Sequence, residues 1–354
     1  MPPLPGLDLL HGRTLAASFD AFARVHLLRA GVRLGLFEAL RRPHDAGALA
    51  DRLGLAGDLV ASWLTASQRL GLVHATGAEY QITDFTRWIL DAPEAPALQA
   101  MLDQVALGWG PRLLELPQLM KGADRPRFGN PEEAQRIAAA ARAVEVRALA
   151  ALARIPGVRS ARRILDVGCG HGSYLAGFLV HYRDAQGVGV DLDPAVAEEA
   201  RRRLREAEVW RRGEIRVGDF MTMDLPSRFD LVLFNNNLHY FAPSEHAALL
   251  RRGASRLTPG GVIAIQTGVV ESGPVARLLG TGAGMAIFDL YLRSHANLYG
   301  LPDLTALHES LRGAGFDETG EVVILPGGSS RYVWARSPRG EDDVAGQAGT
   351  TAAP

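Results

Sequence analysis

The stretch 162–194, RRILDVGCGHGSYLAGFLVHYRDAQGVGVDLDP, decides the fold. Ile164-Leu165-Asp166-Val167 is a short apolar run that reads as a buried strand. Gly168-Cys169-Gly170-His171-Gly172 predicts a tight turn, and Ser173 to Tyr182 a helix. Gly187-Val188-Gly189-Val190 predicts a second strand, closed by Asp191. This is one βαβ unit with a glycine-rich first turn and an acid after strand two. Glycine lets the backbone turn sharply and lets a ligand approach it closely. The helix N-terminus favours an anionic group, and a carboxylate after strand two can accept hydrogen bonds from both ribose hydroxyls. The unit therefore predicts a site for an adenosyl cofactor. Dinucleotide sites use G-x-G-x-x-G. Here glycines 168, 170 and 172 give G-x-G-x-G, and Ser173 takes the third-glycine place.

The pattern D-V-G-C-G-x-G followed by V-D-L-D resembles motif I and its sequel in class I S-adenosylmethionine (SAM) methyltransferases. The resemblance implies a seven-stranded Rossmann-like sheet and SAM as cofactor. It implies a cofactor set of Asp166, Gly168, Gly170, Asp191, Leu192, Asp219, Phe220 and Asn235. Asp219 and Phe220 end the predicted strand 215–220, where the acid would meet the adenine amino group and the ring would stack on adenine. Asn235 follows the predicted strand 229–234 and would hold the methionine end of SAM. In open α/β sheets ligands gather at the carboxyl ends of strands, where these residues fall. Strand five is expected at 260–265, a last helix at 304–314, and a closing hairpin from Val322-Val323-Ile324 and Arg331-Tyr332-Val333-Trp334.

Composition narrows the function classes. The chain has 354 residues and a formal net charge of −1, so no global field recruits nucleic acid or anionic membrane. Lys121 is its sole lysine and Cys169 its sole cysteine, which rules out an internal disulfide framework and fits a reducing, cytoplasmic setting. No apolar run approaches the ~18 residues of a membrane span, and the start lacks a signal-peptide pattern. Residues 1–7 are proline-rich and 337–354 lack periodicity, so both ends are expected to be disordered, with the tail taken as 339–354.

Ahead of the opening stretch, Leu10 to Ala39 carries apolar residues at helical spacing with a break near Gly31 or Gly35. A helix at 46–53, a turn at Gly54, a helix at 58–70 and a hairpin from 72–74 and 80–82 follow. Helix-turn-helix plus hairpin is a winged-helix arrangement. DNA binding would need a basic recognition helix, yet 58–71, DLVASWLTASQRLG, offers only Arg69, and residues 1–100 hold nine arginines against ten acids. With the helices before it, this region resembles the dimerisation domain of plant-type and bacterial small-molecule O-methyltransferases. That resemblance implies a homodimerising domain at 1–110 and a catalytic domain at 111–338. A linking helix at 130–155 is predicted from the Asn130 cap, Pro131 and Glu132-Glu133.

Leu238-His239-Tyr240-Phe241 lies where that family carries L-H-D-W, which implies His239 as general base for a hydroxyl of an aromatic natural product. A phenol has a pKa near about 10, so a neighbouring histidine helps at neutral pH. Tyr240 replaces the family's Asp, Gln266 stands where a supporting acid is common, and Leu301 falls near the second, so no orienting carboxylate is evident. Trp109, Phe288, Tyr291 and Tyr299 are candidates for an aromatic-lined acceptor site. His239 with His295 also resembles the histidine pair of iron-dependent 2-oxo-acid C-methyltransferases, which makes metal-dependent C-methylation the alternative. With no third ligand evident, no metal site is assigned. A winged-helix regulator that senses SAM is the third reading. Nucleic-acid N-methyltransferases carry [D/N]-P-P-[Y/F] after strand four, whereas 235–238 is N-N-N-L, so nucleic acid is not an expected partner.

Overall fold

The computed structural model describes residues 9–225, 228–270, 273–279 and 281–338. The termini expected to be disordered, 1–7 and 339–354, lie outside them. The chain forms two compact units, one within Met1–Glu115 and Gly129–Ala143, the other within Leu116–Phe128 and Val144–Pro354.

The first unit opens with α1 (Leu9–Arg33) and α2 (Leu36–Ala39), separated at Gly35, whose φ of 71° breaks the helix at the second of the two glycines expected to do so. Next come α3 (Ala46–Leu53), capped by the Asp45 carboxylate on the Ala48 N–H, and α4 (Gly57–Arg69). β1 (Val73–Thr76) and β2 (Glu79–Ile82) pair antiparallel, so helix-turn-helix and hairpin form as the spacing predicts. Leu28, Phe37, Leu49, Leu64, Leu72 and Ile82 are buried in its core. α5 (Asp84–Asp91), α6 (Ala95–Asp103), a π-helical turn (Gln104–Trp109) and α7 (Gly110–Leu114) follow. The wider turn of a π-helix departs from the 3.6-residue period of an α-helix.

In the second unit α8 (Leu116–Met120) comes first. α9 (Pro131–Leu152) starts where expected, with the Asn130 side chain accepting the Glu132 N–H at 2.9 Å, and its last residues belong to this unit. The sheet contains β3 (Arg163–Val167), β4 (Gln186–Asp191), β5 (Gly213–Val217), β6 (Phe229–Asn235), β7 (Leu257–Gly268), β8 (Glu318–Val323) and β9 (Ser330–Arg336). Between them run α10 (Ser173–His181), α11 (Pro194–Glu206), α12 (Pro243–Ala254), α13 (Pro274–Leu279), α14 (Thr281–Arg293) and α15 (Leu304–Gly313). Strand order is β5-β4-β3-β6-β7-β9-β8, with β9 antiparallel to both neighbours. This is the seven-stranded class I methyltransferase sheet, as the alternation predicts. β5, the strand expected at 215–220, ends at Val217, so Asp219 and Phe220 lie in the turn beyond it.

The period of two decides what each strand buries. Ile164, Leu231, Leu233 and Ala264 face α9, α10 and α11, while Leu165, Val232, Phe234, Ile263 and Ile265 pack under α12 and α15. Both layers are apolar, as a parallel sheet covered on both faces requires.

Candidate active site

The site sits at the carboxyl ends of β3, β4 and β6. After β3 the backbone turns at Gly168, where φ is +61°, and a Cβ there would lie 2.6 Å from Asn237 Nδ2. Only glycine fits. That Asn237 amide in turn donates to the Val167 carbonyl, which ties the exit of β6 to the turn. At Gly170, φ is +54° and a Cβ would meet nothing within 4 Å, so the turn presents an open backbone face. The Gly170 N–H donates to Asp191 Oδ2 at 2.9 Å and the Asp193 N–H to Asp191 Oδ1 at 3.0 Å. Each oxygen keeps a lone pair, the geometry a vicinal diol needs. Leu192, 69% exposed, stands open beside it.

Asp166 is 1% exposed, and burial pushes its carboxyl up to about 7. One oxygen accepts the Asn235 amide N–H at 3.1 Å, while the other has no partner among the described residues. Asn235 was expected to hold the methionine end of a ligand. Its amide oxygen accepts from the Tyr332 hydroxyl at 3.1 Å, so both ends of the side chain are bonded within the protein. Phe220 is 4% exposed, meets Phe234 edge-on at 6.0 Å and lies under the Arg252 guanidinium. Asp219 is exposed in the turn after β5, with one oxygen accepting the Met221 N–H at 2.8 Å.

Beyond β6, Leu238–Tyr240 forms a single 3-10 turn that carries His239. Its ring lies 4.7 Å from Tyr240 and 6.2 Å, edge to face, from Phe288 on α14. Burial in this apolar setting lowers the imidazole to about 4. No carboxylate hydrogen-bonds the ring among the described residues. The Tyr299 N–H donates to the His239 carbonyl at 2.8 Å, which holds the turn. His295 is buried on the same side, its Nδ1 2.9 Å from the Tyr291 carbonyl. Phe128 packs against Tyr240 at 6.0 Å and His295 at 5.8 Å. Asn297 pins it, accepting the Phe128 N–H at 2.7 Å and donating to its carbonyl at 3.0 Å. Phe128, Asn297 and Tyr332 were not singled out as site residues, because each reaches the site from a distant part of the chain, whereas Gln266 was noted only as standing where a supporting acid is common. Trp109 lies in the π-helical turn of the other unit. Among the described residues no group of three or more His, Cys, Asp or Glu side chains comes together to hold a metal.

Residues 164–261 match the family model described as a methyltransferase domain. Over 269 residues the chain is 31% identical to 3-hydroxy-5-methyl-1-naphthoate 3-O-methyltransferase of Streptomyces sahachiroi, covering 71% of this chain and 76% of that protein. The chain belongs to the SAM-dependent small-molecule O-methyltransferase family. A trans-aconitate 2-methyltransferase of Methylobacterium radiotolerans matches more narrowly, 34% identical over 36% of this chain and 46% of its own length. Two solved structures share the methyltransferase's fold across nearly its whole length. One is an O-methyltransferase family protein from Burkholderia thailandensis, with TM-score 0.75, 21% identity and coverage of 93% and 98% of the two chains. The other is human N-acetylserotonin methyltransferase in complex with SAM, with TM-score 0.73, 20% identity and coverage of 96% and 100%. The cofactor of this methyltransferase is SAM, and the residues at the glycine turn suit it. The open face at Gly170, the Asp191 carboxylate and the unpartnered Asp166 oxygen offer contacts to a ribose diol and an ammonium group. No helix of the methyltransferase, among the described residues, is long and apolar enough to cross a membrane.

Proposed function

We propose that the protein methylates a hydroxyl of an aromatic small molecule, with His239 receiving the hydroxyl proton. The observation that carries this reading is the imidazole of His239, kept neutral among Tyr240 and Phe288 on the strand exit beside the glycine turn. Neutral imidazole is the form that accepts a proton. As a weak base it does not deprotonate a resting phenol, but the phenolic proton becomes far more acidic as the oxygen gains a methyl group. When bound, SAM supplies a methyl group already activated by its sulfonium. The chain has to align the acceptor and exclude water. Asp191 is assigned to the ribose hydroxyls, Leu192 and Asp219 to adenine, and Asp166 to the cofactor's ammonium group. The rings of Phe128, Tyr240 and Phe288 are assigned to a planar acceptor, and the naphthoate specificity in the relative's name supports a fused aromatic one, of the kind found in natural products.

Metal-dependent C-methylation through His239 and His295 has less support, since no third ligand joins them among the described residues. Residues 1–110 are assigned to a winged-helix dimerisation domain and 111–338 to the catalytic domain, in a cytoplasmic homodimer. The test is turnover on hydroxylated naphthoic and benzoic acids, with the methyl ether identified by mass spectrometry. His239→Ala is expected to lower turnover by roughly a hundredfold or more with SAM affinity intact by calorimetry. An unaltered rate would reduce His239 to a wall of the pocket.

A further inference from the structure

A row of polar side chains crosses the apolar face of the sheet that α9, α10 and α11 cover. Asn235 on β6 is in register with Gln266 on β7, and Gln266 with Tyr332 on β9. Asp166 on β3 joins the row through the Asn235 amide. All four are buried, and apolar residues fill the neighbouring rows of the same face, Ile164, Leu233, Ala264 and Trp334. The Tyr332 hydroxyl reaches past Gln266, whose Oε1 is 3.5 Å away, to Asn235 Oδ1 at 3.1 Å. Burial raises the Tyr332 phenol well above its ordinary value, so it keeps its proton and serves Asn235 as a donor. An amide has one accepting and one donating end. With Oδ1 taken by Tyr332, the N–H end is the one that meets Asp166.

We propose that Tyr332 is a positioning residue for the cofactor, because its hydroxyl orients the Asn235 amide so that Asp166 stays a carboxylate whose second oxygen faces the ammonium group of SAM. The proposal rests on the assignment of Asp166 to the cofactor. Buried unmade hydrogen bonds are costly, and without the hydroxyl the amide loses the partner that fixes its orientation. A half-turn would put Oδ1 against Asp166, which suits the protonated acid. The Asn235 N–H lowers the Asp166 pKa, while burial and the Asp191 carboxylate from β4 raise it. The other titratable groups around Asp166 are Cys169 of the glycine turn, Tyr174 of α10 and Tyr332 itself, each held neutral by burial. Glu145 of α9 faces Tyr174 and Tyr332. Asp166 and its neighbour Asp191 are thus the two carboxylates of the immediate site, and removing the Asn235 donor displaces the Asp166 titration upward.

The experiment is calorimetric binding of S-adenosylhomocysteine, which keeps the cofactor's ammonium group, between pH 6 and 9, on wild type and Tyr332→Phe. Loss of one hydrogen bond to a carboxylate moves its pKa by about one unit. From about 7, that lowers the ionised fraction at neutral pH from about one half to about one tenth. Tyr332→Phe is therefore expected to bind about fivefold more weakly at pH 7 and equally well at pH 9. In an Asn235→Ser background the tyrosine change is expected to add nothing, since it acts through that amide. Asn235→Ser alone probes the same link from the other side and is expected to displace the midpoint upward. Unchanged binding in Tyr332→Phe, or a loss equal at every pH, would overturn the proposal and leave Tyr332 as packing. If Tyr332→Phe does not fold, an unmoved midpoint in Asn235→Ser overturns it. Asp166→Asn separates the two readings. If that change leaves affinity untouched, the assignment of Asp166 to the cofactor fails, whatever Tyr332 does.

Discussion

A carboxylate buried to 1% exposure costs the fold stability, and for Asp166 the sign can be worked out. Its folded value is about 7 against about 4 unfolded. Between those values the folded chain holds a proton that the unfolded chain has released. Stability therefore falls as pH rises from about 4 through about 7 and is level above that, a loss on the order of 4 kcal/mol. Asp166→Asn keeps an oxygen for the Asn235 N–H and removes the charge. Without added cofactor it is expected to melt several degrees above wild type at pH 8 and to show no gain at pH 4. Thermal melts at the two pH values check this, and equal melting at pH 8 would mean that the site solvates its carboxylate. Such a penalty at a ligand site is a stability-for-function exchange. The turn that brings Asp166, Gly168, Gly170 and Asp191 together was legible in the sequence because they lie within one short βαβ unit, where spacing fixes the local geometry. The Asn235 amide that meets Asp166, and the Tyr332 hydroxyl behind that amide, were not. Asn235 and Tyr332 lie 69 and 166 positions away, and only the sheet register brings them together.

At the level of elements, the side assigned to the acceptor is built from three segments that no local pattern connects. The turn carrying His239 leaves β6, α14 supplies Phe288, and the segment before α9 supplies Phe128. The loop after α14 holds them in order, since Asn297 grips the Phe128 backbone by both its N–H and its carbonyl, Ala296 donates to the Pro126 carbonyl at 2.9 Å, and Tyr299 holds His239. Asn297→Ala removes two hydrogen bonds, each worth about 1 kcal/mol. It is expected to raise the acceptor KM by about tenfold while SAM affinity by calorimetry is unaltered. A fall in kcat at unchanged KM would instead place the clasp on the chemical step. Secondary structure was legible wherever one period persisted. The helix-turn-helix, the hairpin, α9 and the alternation of strands and helices follow their spacing. The boundary of β5 was missed because Gly218, at φ +155°, ends the pairing before Asp219. Phe220 falls in the turn beyond that boundary, where the alternation of a strand no longer says which way a side chain faces.

For the molecule as a whole, the apolar stripe of α1 supports the dimer assigned above. Leu15, Phe19 and Phe22, spaced i, i+4 and i+7 on one helix face, are 56%, 65% and 69% exposed. Large apolar side chains lined up in water mark an association surface. A two-fold interface uses the same patch from both copies, so each side chain counts twice. Burying the exposed part of a phenylalanine is worth roughly 1 kcal/mol, so removing two from each copy forfeits about 4 kcal/mol, on the order of a thousandfold in Kd. The charge introduced by glutamate adds repulsion across the two-fold axis. Wild type is expected to sediment at twice 38.0 kDa at micromolar concentration, and Phe19→Glu/Phe22→Glu at 38.0 kDa. Cofactor affinity is expected to persist in the double variant, because Asp166, Asp191 and the glycine turn belong to the other compact unit. A wild-type chain that sediments as a monomer would remove the dimer, and a variant that stays dimeric would move the interface away from α1.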